Sequence, residues 1–300
     1  MFSDRKFNLQ KQNTRFAVYI ILPALIIVCI FMYYPMFNSI IMGFQEVYFG
    51  KGEHEWVGFA NLLKIFQNPD FMDSFWWSLG FGAISTILVL IVGMYFAILI
   101  NRKMPGRNIF RGLLLLPWAI PWFINAYLWL WLLDTQFGLF NYILQSIHII
   151  DKSINWTGSG ETARVAVIMA YIYRVFPFNM IVYLAGFQTI DPVYYEAAEI
   201  DGAGRFRQFL HITLPQLRPI IIFTALLNFI WSFQEFETIW IITKGGPVRA
   251  TSTLLIRIYN LAFQNRDFSM AAANGVLWVI FLIIFSIIYL RYLFFREETR

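Results

Sequence analysis

The segment EAAEIDGAGRFRQFLHITLP, Glu196 to Pro215, is polar and contains two glycines, although 59% of the chain is hydrophobic. Seven of its twenty residues are Glu, Asp, Arg, Gln or His. On either side of it lies an apolar block that is long enough to cross a membrane as a helix. The topology of the chain therefore depends on where this segment lies, and its function depends on what the segment contacts.

Long apolar blocks indicate an all-α integral membrane protein. Aromatic residues make up 19% of the chain and charged residues only 14%, which is outside the range of soluble proteins. Each of six blocks exceeds the roughly 20 residues that cross the hydrocarbon as a helix. The predicted spans are residues 16–44, 74–100, 112–133, 165–190, 219–243 and 268–290. We therefore predict six transmembrane helices in a single membrane domain over residues 1–300.

Lys and Arg residues set the predicted orientation, because cytoplasmic segments retain positive charge. With both termini inside, the four cytoplasmic segments contain most of the 23 Lys and Arg residues, although the last outer loop opposes the rule with four. The cytoplasmic residues are Arg5, Lys6, Lys11, Arg15, Arg102, Lys103, Arg107, Arg111, Arg205, Arg207, Arg218, Arg291, Arg296 and Arg300. The segment Glu196 to Pro215 is then cytoplasmic. The net charge of +5 reflects topology rather than nucleic-acid binding.

Residues 191–215, between the fourth and fifth spans, predict a short helix outside the bilayer. Asp191 and Pro192 suit the start of a helix, and glycines after Ile200 supply a stop. Such a helix is only about 15 Å long and cannot span. A second helix follows, with an apolar stripe of Phe206, Phe209, Leu210 and Leu214 and a polar side of Arg205, Arg207 and Gln208.

Two interpretations of the first short helix are open. An amphipathic helix that lies on lipid headgroups is a common use of such a segment. The helix has little apolar area to bury in lipid, however, because it offers alanines, one Ile and two Tyr. Ala197 and Ala198 would let its backbone lie deep in a groove, which suits a protein partner better.

The segment resembles the cytoplasmic signature of ABC-importer permeases. That signature reads Glu-Ala-Ala, three residues, Gly, nine residues, Ile, one residue and Leu-Pro, and it is matched by Glu196-Ala197-Ala198, Gly202, Ile212 and Leu214-Pro215. The resemblance implies a coupling helix that docks in a cleft of the ATP-hydrolysing subunit. The coupling residues that it implies are Glu196, Ala197, Ala198, Asp201, Gly202, Gly204, Arg205, Leu214 and Pro215.

Three further stretches are similar to carbohydrate-uptake permeases of the maltose type. They are residues 56–71, 113–123 and 243–263, and the short first outer loop matches the smaller of the two permease subunits. The resemblance implies a subunit of the cytoplasmic (inner) membrane that moves a sugar or oligosaccharide by alternating access. It implies a pair of nucleotide-binding ATPase subunits that hold ATP and Mg²⁺, a second six-span permease and an extracytoplasmic solute-binding protein. The chain itself is expected to bind no cofactor.

Polar residues within the predicted spans are candidates for a solute pathway, because an ionisable group at bilayer depth is costly unless it faces protein or water. Hydroxyls of a sugar need amide or carboxylate partners, and its ring face needs a flat apolar surface. The candidates are Arg174, Asn179, Asn228, Trp231, Gln234, Glu235, Phe236, Trp122 and Asn125. Arg174 paired with a Glu between helices is the structural alternative. Pro117 and Pro121 interrupt the third span, as helices do where they line a cavity.

Catalysis by this chain is not expected. It contains no G-x-x-x-x-G-K-[ST] sequence that would hold ATP phosphates, and its three histidines are scattered over three loops. A secondary transporter or channel without an ATPase is the alternative function, and a membrane enzyme is a weaker one. Glycerol-phosphate-type and polysaccharide-derived solutes stay open beside simple sugars.

Overall fold

The computed structural model describes residue 16 and residues 18–47, 54–102 and 104–297. Several basic residues that support the predicted orientation lie outside these ranges. They are Arg5, Lys6, Lys11, Arg15, Lys103 and Arg300.

Helices form most of the described chain. They are α1 (Val18–Met42), α2 (Ala60–Phe66), α3 (Pro69–Asn101), α4 (Arg107–Ala119), α5 (Trp122–Leu132), α6 (Leu139–Ser146), α7 (Gly160–Phe187), α8 (Pro192–Ile200), α9 (Arg205–Phe233), α10 (Glu237–Thr243), α11 (Leu254–Tyr259) and α12 (Phe268–Glu297). The strands β1 (Gln45–Val47) and β2 (His54–Trp56) pair antiparallel, with Gln45 opposite Trp56. Wider π-helical turns occur within α1 at Cys29–Tyr33, within α9 at Phe209–Thr213 and after α11 at Asn260–Gln264.

Five helices among the described residues are long and apolar enough to cross a membrane, namely α1, α3, α7, α9 and α12. The pair α4 and α5 is a sixth candidate, bent by 99° between its two halves. The bend lies at Ile120, which is extended with ψ 134°, as expected for a residue that precedes proline. The break predicted at Pro121 is confirmed, whereas Pro117 lies inside α4.

The fifth predicted span, residues 219–243, differs from the structure at both ends. The helix begins at Arg205 and runs through Pro215 and Pro219, since the π-helical turn Phe209–Thr213 leads directly into it. It ends at Phe233, and α10 starts four residues later, at Glu237, where the Glu235 carboxylate accepts a hydrogen bond from the Thr238 backbone N–H at 2.8 Å. The prediction of one continuous helix over 219–243 is therefore wrong.

The chain divides into two compact units. Unit 1 comprises Met1–Gln67 with Leu261–Val279, and unit 2 comprises Asn68–Asn260 with Ile280–Arg300. In unit 1, the Asn61 side chain donates to the carbonyl oxygens of Gly43 and Gln45, and the Val47 N–H donates to Ser269 at 2.8 Å. These bonds tie β1 of the hairpin to α2 and to α12. The single domain over residues 1–300 stays a prediction.

The core of unit 2 is built on the contact between α3 and α7. Phe81, Val89, Tyr171 and Tyr183 are almost completely buried. Gly93 permits the close approach, since a Cβ atom at this position would lie 2.7 Å from the Asn179 Cβ atom and 3.2 Å from the Phe176 carbonyl oxygen. Small residues allow membrane helices to approach in this way, because lipid provides no hydrophobic drive for association.

Substitution of Gly93 by valine should therefore destabilise unit 2, by about 1–3 kcal/mol for an overpacked site. Gly80 lies in the same helix with open space around it. Gly80→Val is therefore the control, since it makes the same change in helix propensity without a steric clash. Thermal unfolding of both variants in detergent, followed by tryptophan fluorescence, should show a lower midpoint for Gly93→Val than for Gly80→Val. Equal midpoints would contradict the close α3–α7 contact.

Candidate functional site

The short helix α8 is capped at its start by its own sequence. The Asp191 side chain accepts a hydrogen bond from the Val193 backbone N–H at 3.0 Å, and Pro192 occupies the first turn. Both features satisfy or remove N–H groups that have no partner inside a helix. The helix predicted to start at this point is confirmed, from Pro192 to Ile200.

A glycine in the left-handed conformation ends α8. Gly202 has φ 75°, the Ala203 N–H donates to the Ala198 carbonyl at 2.8 Å, and the Gly202 N–H donates to the Glu199 carbonyl at 3.0 Å. These two bonds form a Schellman motif, which favours glycine because other residues pay for a positive φ. Gly204 has φ −69°, so the backbone there does not require glycine.

No side chain of α8 is buried. Ile200 is 88% exposed, and Glu196 and Ala197 are also exposed. The anchor to the rest of unit 2 is a hydrogen bond of 2.8 Å between the Tyr195 hydroxyl and the Thr213 hydroxyl in α9. The helix is therefore held at its base and at both ends, while its outer surface contacts nothing in the described part of the chain.

The first turns of α9 continue the exposed surface. Arg205, Leu214 and Pro215 are exposed, and Phe206 is 75% exposed. The nine residues predicted to couple the chain to an ATPase thus lie in one continuous stretch from α8 into α9. We call this stretch, residues 191–215, the coupling segment.

Arg174 lies in a buried polar cluster formed by α5, α7 and the break between α9 and α10. Its side chain is 8% exposed, and its guanidinium carbon lies 4.8 Å from the ring centroid of Trp122. Its Nε and Nη1 atoms have no hydrogen-bond partner. The Glu235 carboxylate interacts with it electrostatically, but the two side chains form no direct ion pair within the described residues.

The other members of the cluster are also buried. Glu235 is 3% exposed, and Asn125 donates to the Ala170 carbonyl at 3.2 Å while its own Oδ1 atom has no partner. Tyr171 is completely buried, its ring stacks on Trp122, and its hydroxyl has no partner. Unpaired polar groups in a low-dielectric interior are costly, so the cluster is suited to a polar ligand or to water.

Sequence reasoning placed Arg174, Trp122, Asn125 and Glu235 among the pathway candidates, and the structure brings these four together. It missed Tyr171. The available signal was the position of Tyr171 three residues before Arg174, on the same face of a helix. Glu237, which lies two residues after Glu235, is exposed and does not belong to the cluster.

The contacts of the remaining pathway candidates are with residues outside the Arg174 cluster. Asn179 in α7 and Asn228 in α9 are fully buried and exchange two hydrogen bonds, at 3.2 and 2.9 Å. Their amides are therefore used in holding α7 to α9. Trp231 packs edge-to-face on Phe178, Phe236 packs on Trp240 and Tyr259, and Gln234 is exposed.

Metal chemistry has no candidate site in the described residues, where no group of three or more His, Cys, Asp or Glu side chains could hold an ion.

Comparison with known families gives one match that covers most of the chain. Residues 89–296 match the family described as "Binding-protein-dependent transport system inner membrane component".

Two similar proteins align with this chain over nearly its full length. The chain is 31% identical over 290 residues to the trehalose/maltose transport system permease protein MalF of Thermococcus litoralis, which covers 97% of each chain. It is 32% identical over 275 residues to the sn-glycerol-3-phosphate transport system permease protein UgpA of Yersinia pestis, covering 91% of this chain and 92% of that protein.

Solved structures share the fold. The chain matches a bacterial ABC transporter involved in the import of the acidic polysaccharide alginate with a TM-score of 0.80 and 25% identity, over 95% of this chain and 98% of that one. A second structure, the alginate ABC transporter in complex with alginate pentasaccharide-bound periplasmic protein, matches with a TM-score of 0.78 and 24% identity, over 94% of each chain.

Proposed function

The chain belongs to the family of inner membrane components of binding-protein-dependent transport systems, and from this premise we propose that it carries a sugar or oligosaccharide. It is the permease subunit of an ABC importer, a transport component rather than an enzyme. The relatives are named for trehalose/maltose, sn-glycerol-3-phosphate and alginate, which all carry two or more hydroxyl groups. A polyhydroxylated solute is the chemistry that these three names share.

The coupling segment connects this permease to its ATPase. The single observation that supports this role is the exposed outer surface of α8, a helix that is capped at both ends and has no buried side chain. Its nine residues would be marginal as an isolated helix in water, so the two caps and the Tyr195 anchor preserve a shape that a partner can bind. ATP hydrolysis in the partner then moves α8, and α9 transmits the motion into the membrane.

Six spans with both termini in the cytoplasm complete the proposed topology. The pair α4 and α5 forms the third span, broken at Pro121, and α10 follows the fifth span as a separate short helix. Breaks of this kind occur where helices line a cavity rather than lipid. This arrangement leaves the coupling segment in the cytoplasm.

Three partners follow from the family and its relatives. The proposed importer contains two nucleotide-binding subunits, which hold ATP and Mg²⁺, and a second permease subunit. An extracytoplasmic solute-binding protein delivers the solute, as the family description indicates. In this proposal the cofactors belong to the ATPase subunits and not to the present chain.

The buried cluster around Arg174 is the proposed polar section of the solute pathway. Its unpaired N–H groups donate to hydroxyl oxygens, the Glu235 carboxylate accepts from hydroxyls, and the Trp122 ring offers a flat face. Asn179 and Asn228 stay candidates by sequence, but their mutual pairing supports a packing role instead.

We predict that Glu196→Lys and Gly202→Trp each lower uptake at least tenfold in the reconstituted importer, because one reverses a charge on the docking surface and the other adds bulk beside it. Uptake of radiolabelled maltose, trehalose and glycerol 3-phosphate into proteoliposomes is the measurement. Glu55→Lys makes the same charge change on the exposed hairpin, and Gly106→Trp places the same bulk at another glycine with positive φ.

Both control variants should transport normally with normal ATPase association. Wild-type uptake by Glu196→Lys and Gly202→Trp would refute the docking role. Uptake by the purified chain without an ATPase or nucleotide would instead support a secondary transporter or channel.

For the pathway, Arg174→Gln should reduce uptake at least tenfold with little change in thermal stability, because it removes donors that have no protein partner. Arg164→Gln is the matched control, since Arg164 lies in the same helix and also stacks on a tryptophan, at 4.6 Å from Trp77. Uptake and the thermal midpoint are measured together. A large loss of stability with Arg174→Gln, or equal uptake by the two variants, would indicate a structural Arg174.

A further inference from the structure

A polar cavity of about 560 Å³ opens between the ends of α3 and α7 and the start of α9. Its size is typical of a site for a small ligand. Its polar lining consists of Asn101, Arg102, Tyr195, Arg205, Gln208 and Thr213. The cavity lies at the end of α3 that follows its long apolar run, which in the proposed topology is the level of the lipid headgroups.

The two arginines are the charged hydrogen-bond donors of this cavity. The hydroxyls of Tyr195 and Thr213 bond to each other, and the Gln208 side chain donates to the Ala203 carbonyl at 3.0 Å. Arg102 and Arg205 are exposed, and neither forms an ion pair with a described residue. No Asp or Glu among the described residues lines the cavity, so its charge is positive.

An apolar groove of about 400 Å³ adjoins the cavity and shares Ile98 and Phe209 with it. Its wall on α3 is Leu90, Ile91, Met94, Tyr95 and Ile98, a stripe with helical spacing. Phe209, Leu214 and Ile221 of α9 form the opposite wall. From Leu90 to Arg102 the chain rises about 18 Å, so in the proposed topology the groove extends from the headgroup level into the hydrocarbon.

We propose that the cavity and the groove together bind one anionic phospholipid. The phosphate lies between Arg102 and Arg205, whose planar guanidinium groups match phosphate oxygens, and an acyl chain lies along α3 in the groove. A free phosphate ion would use the cavity alone, whereas the continuity of the two spaces at Ile98 and Phe209 fits a molecule with a charged head and an apolar tail. Basic pockets between membrane helices bind anionic headgroups for the same reason.

The site lies next to the coupling segment, because Tyr195 of α8 lines the cavity and anchors α8 to Thr213. A bound lipid therefore contacts the base of the exposed helix. This binding is independent of the proposed transport function, since it requires only that the end of α3 lies at the headgroup level.

Native mass spectrometry of the full-length chain in detergent tests the proposal, with phosphatidylglycerol and phosphatidylcholine titrated separately. The wild type should bind phosphatidylglycerol more tightly than phosphatidylcholine. Arg102→Gln with Arg205→Gln should lower that affinity by roughly fivefold for each arginine. Arg107→Gln with Arg111→Gln removes two charges from the neighbouring α4, outside the cavity, and should leave binding unchanged.

Two further variants separate the possible sources of the signal. Arg102→Lys with Arg205→Lys keeps the charge but loses the planar guanidinium groups, so this pair should bind phosphatidylglycerol more weakly than the wild type and more strongly than the glutamine pair. Met94→Trp fills the groove and should weaken phosphatidylglycerol binding without affecting inorganic phosphate.

Three results for the isolated chain would overturn the proposal. They are unchanged phosphatidylglycerol binding in the Arg102 and Arg205 double glutamine variant, an equal loss in the Arg107 and Arg111 pair, and inorganic phosphate binding as strong as that of the lipid. Absence of phosphatidylglycerol from the assembled importer would also overturn it, because the groove would then belong to the second permease subunit.

Discussion

Backbone N–H and C=O groups have no water to bind within the hydrocarbon, so this chain can interrupt its helices only where other groups take the place of the missing bonds. At the bend between α4 and α5, Pro121 has no N–H to satisfy, and its carbonyl accepts from Asn125 at 3.1 Å. At the break after α9, the Glu235 carboxylate accepts the Thr238 N–H. At the start of α11, the Leu254 N–H donates to the Ser78 side chain of α3 at 2.8 Å.

The same constraint explains the coupling segment. A polar stretch with two glycines is costly inside the bilayer but not in water, where the proposed topology places α8 and its terminal glycine with positive φ. The segment keeps its shape without a buried core, through Asp191 at one end, the Gly202 turn at the other and the Tyr195 bond to α9. Exposure of a preformed helix is what a docking partner requires, since little ordering entropy is then lost on binding. The partner that we propose for this helix is the ATP-hydrolysing subunit of the importer.

Features set by local chemistry could be predicted from the sequence, and features set by tertiary packing could not. The start of α8 at Pro192, its end before Gly202 and the break at Pro121 depend on neighbouring residues and are confirmed. The sequence pattern treats Pro215 and Pro219 as helix boundaries, so it did not predict that α9 continues through both. The structure shows a π-helical turn directly before Pro215, and the helix runs on from it.

Contacts between residues that are distant in the sequence also determine which side chains are available to line the pathway. Asn179 and Asn228 looked like solute ligands until the fold placed them opposite each other, 49 residues apart. Arg174 and Glu235 could be identified from the sequence, because an ionisable side chain inside a membrane is energetically costly. Their separation and the burial of Tyr171 could not, because both depend on how α7 packs against α5 and α10.

The most direct measurement is photocrosslinking from Ile200, the most exposed apolar side chain of α8 at 88%. A photoreactive amino acid at position 200 of the assembled importer should form a covalent product with the nucleotide-binding subunit. The same substitution at Phe137, which is 76% exposed and lies before α6 in a predicted outer segment, should give none with that subunit. Crosslinks from position 200 to lipid alone would contradict the account, because α8 would then be an interfacial helix and not the contact with the ATPase.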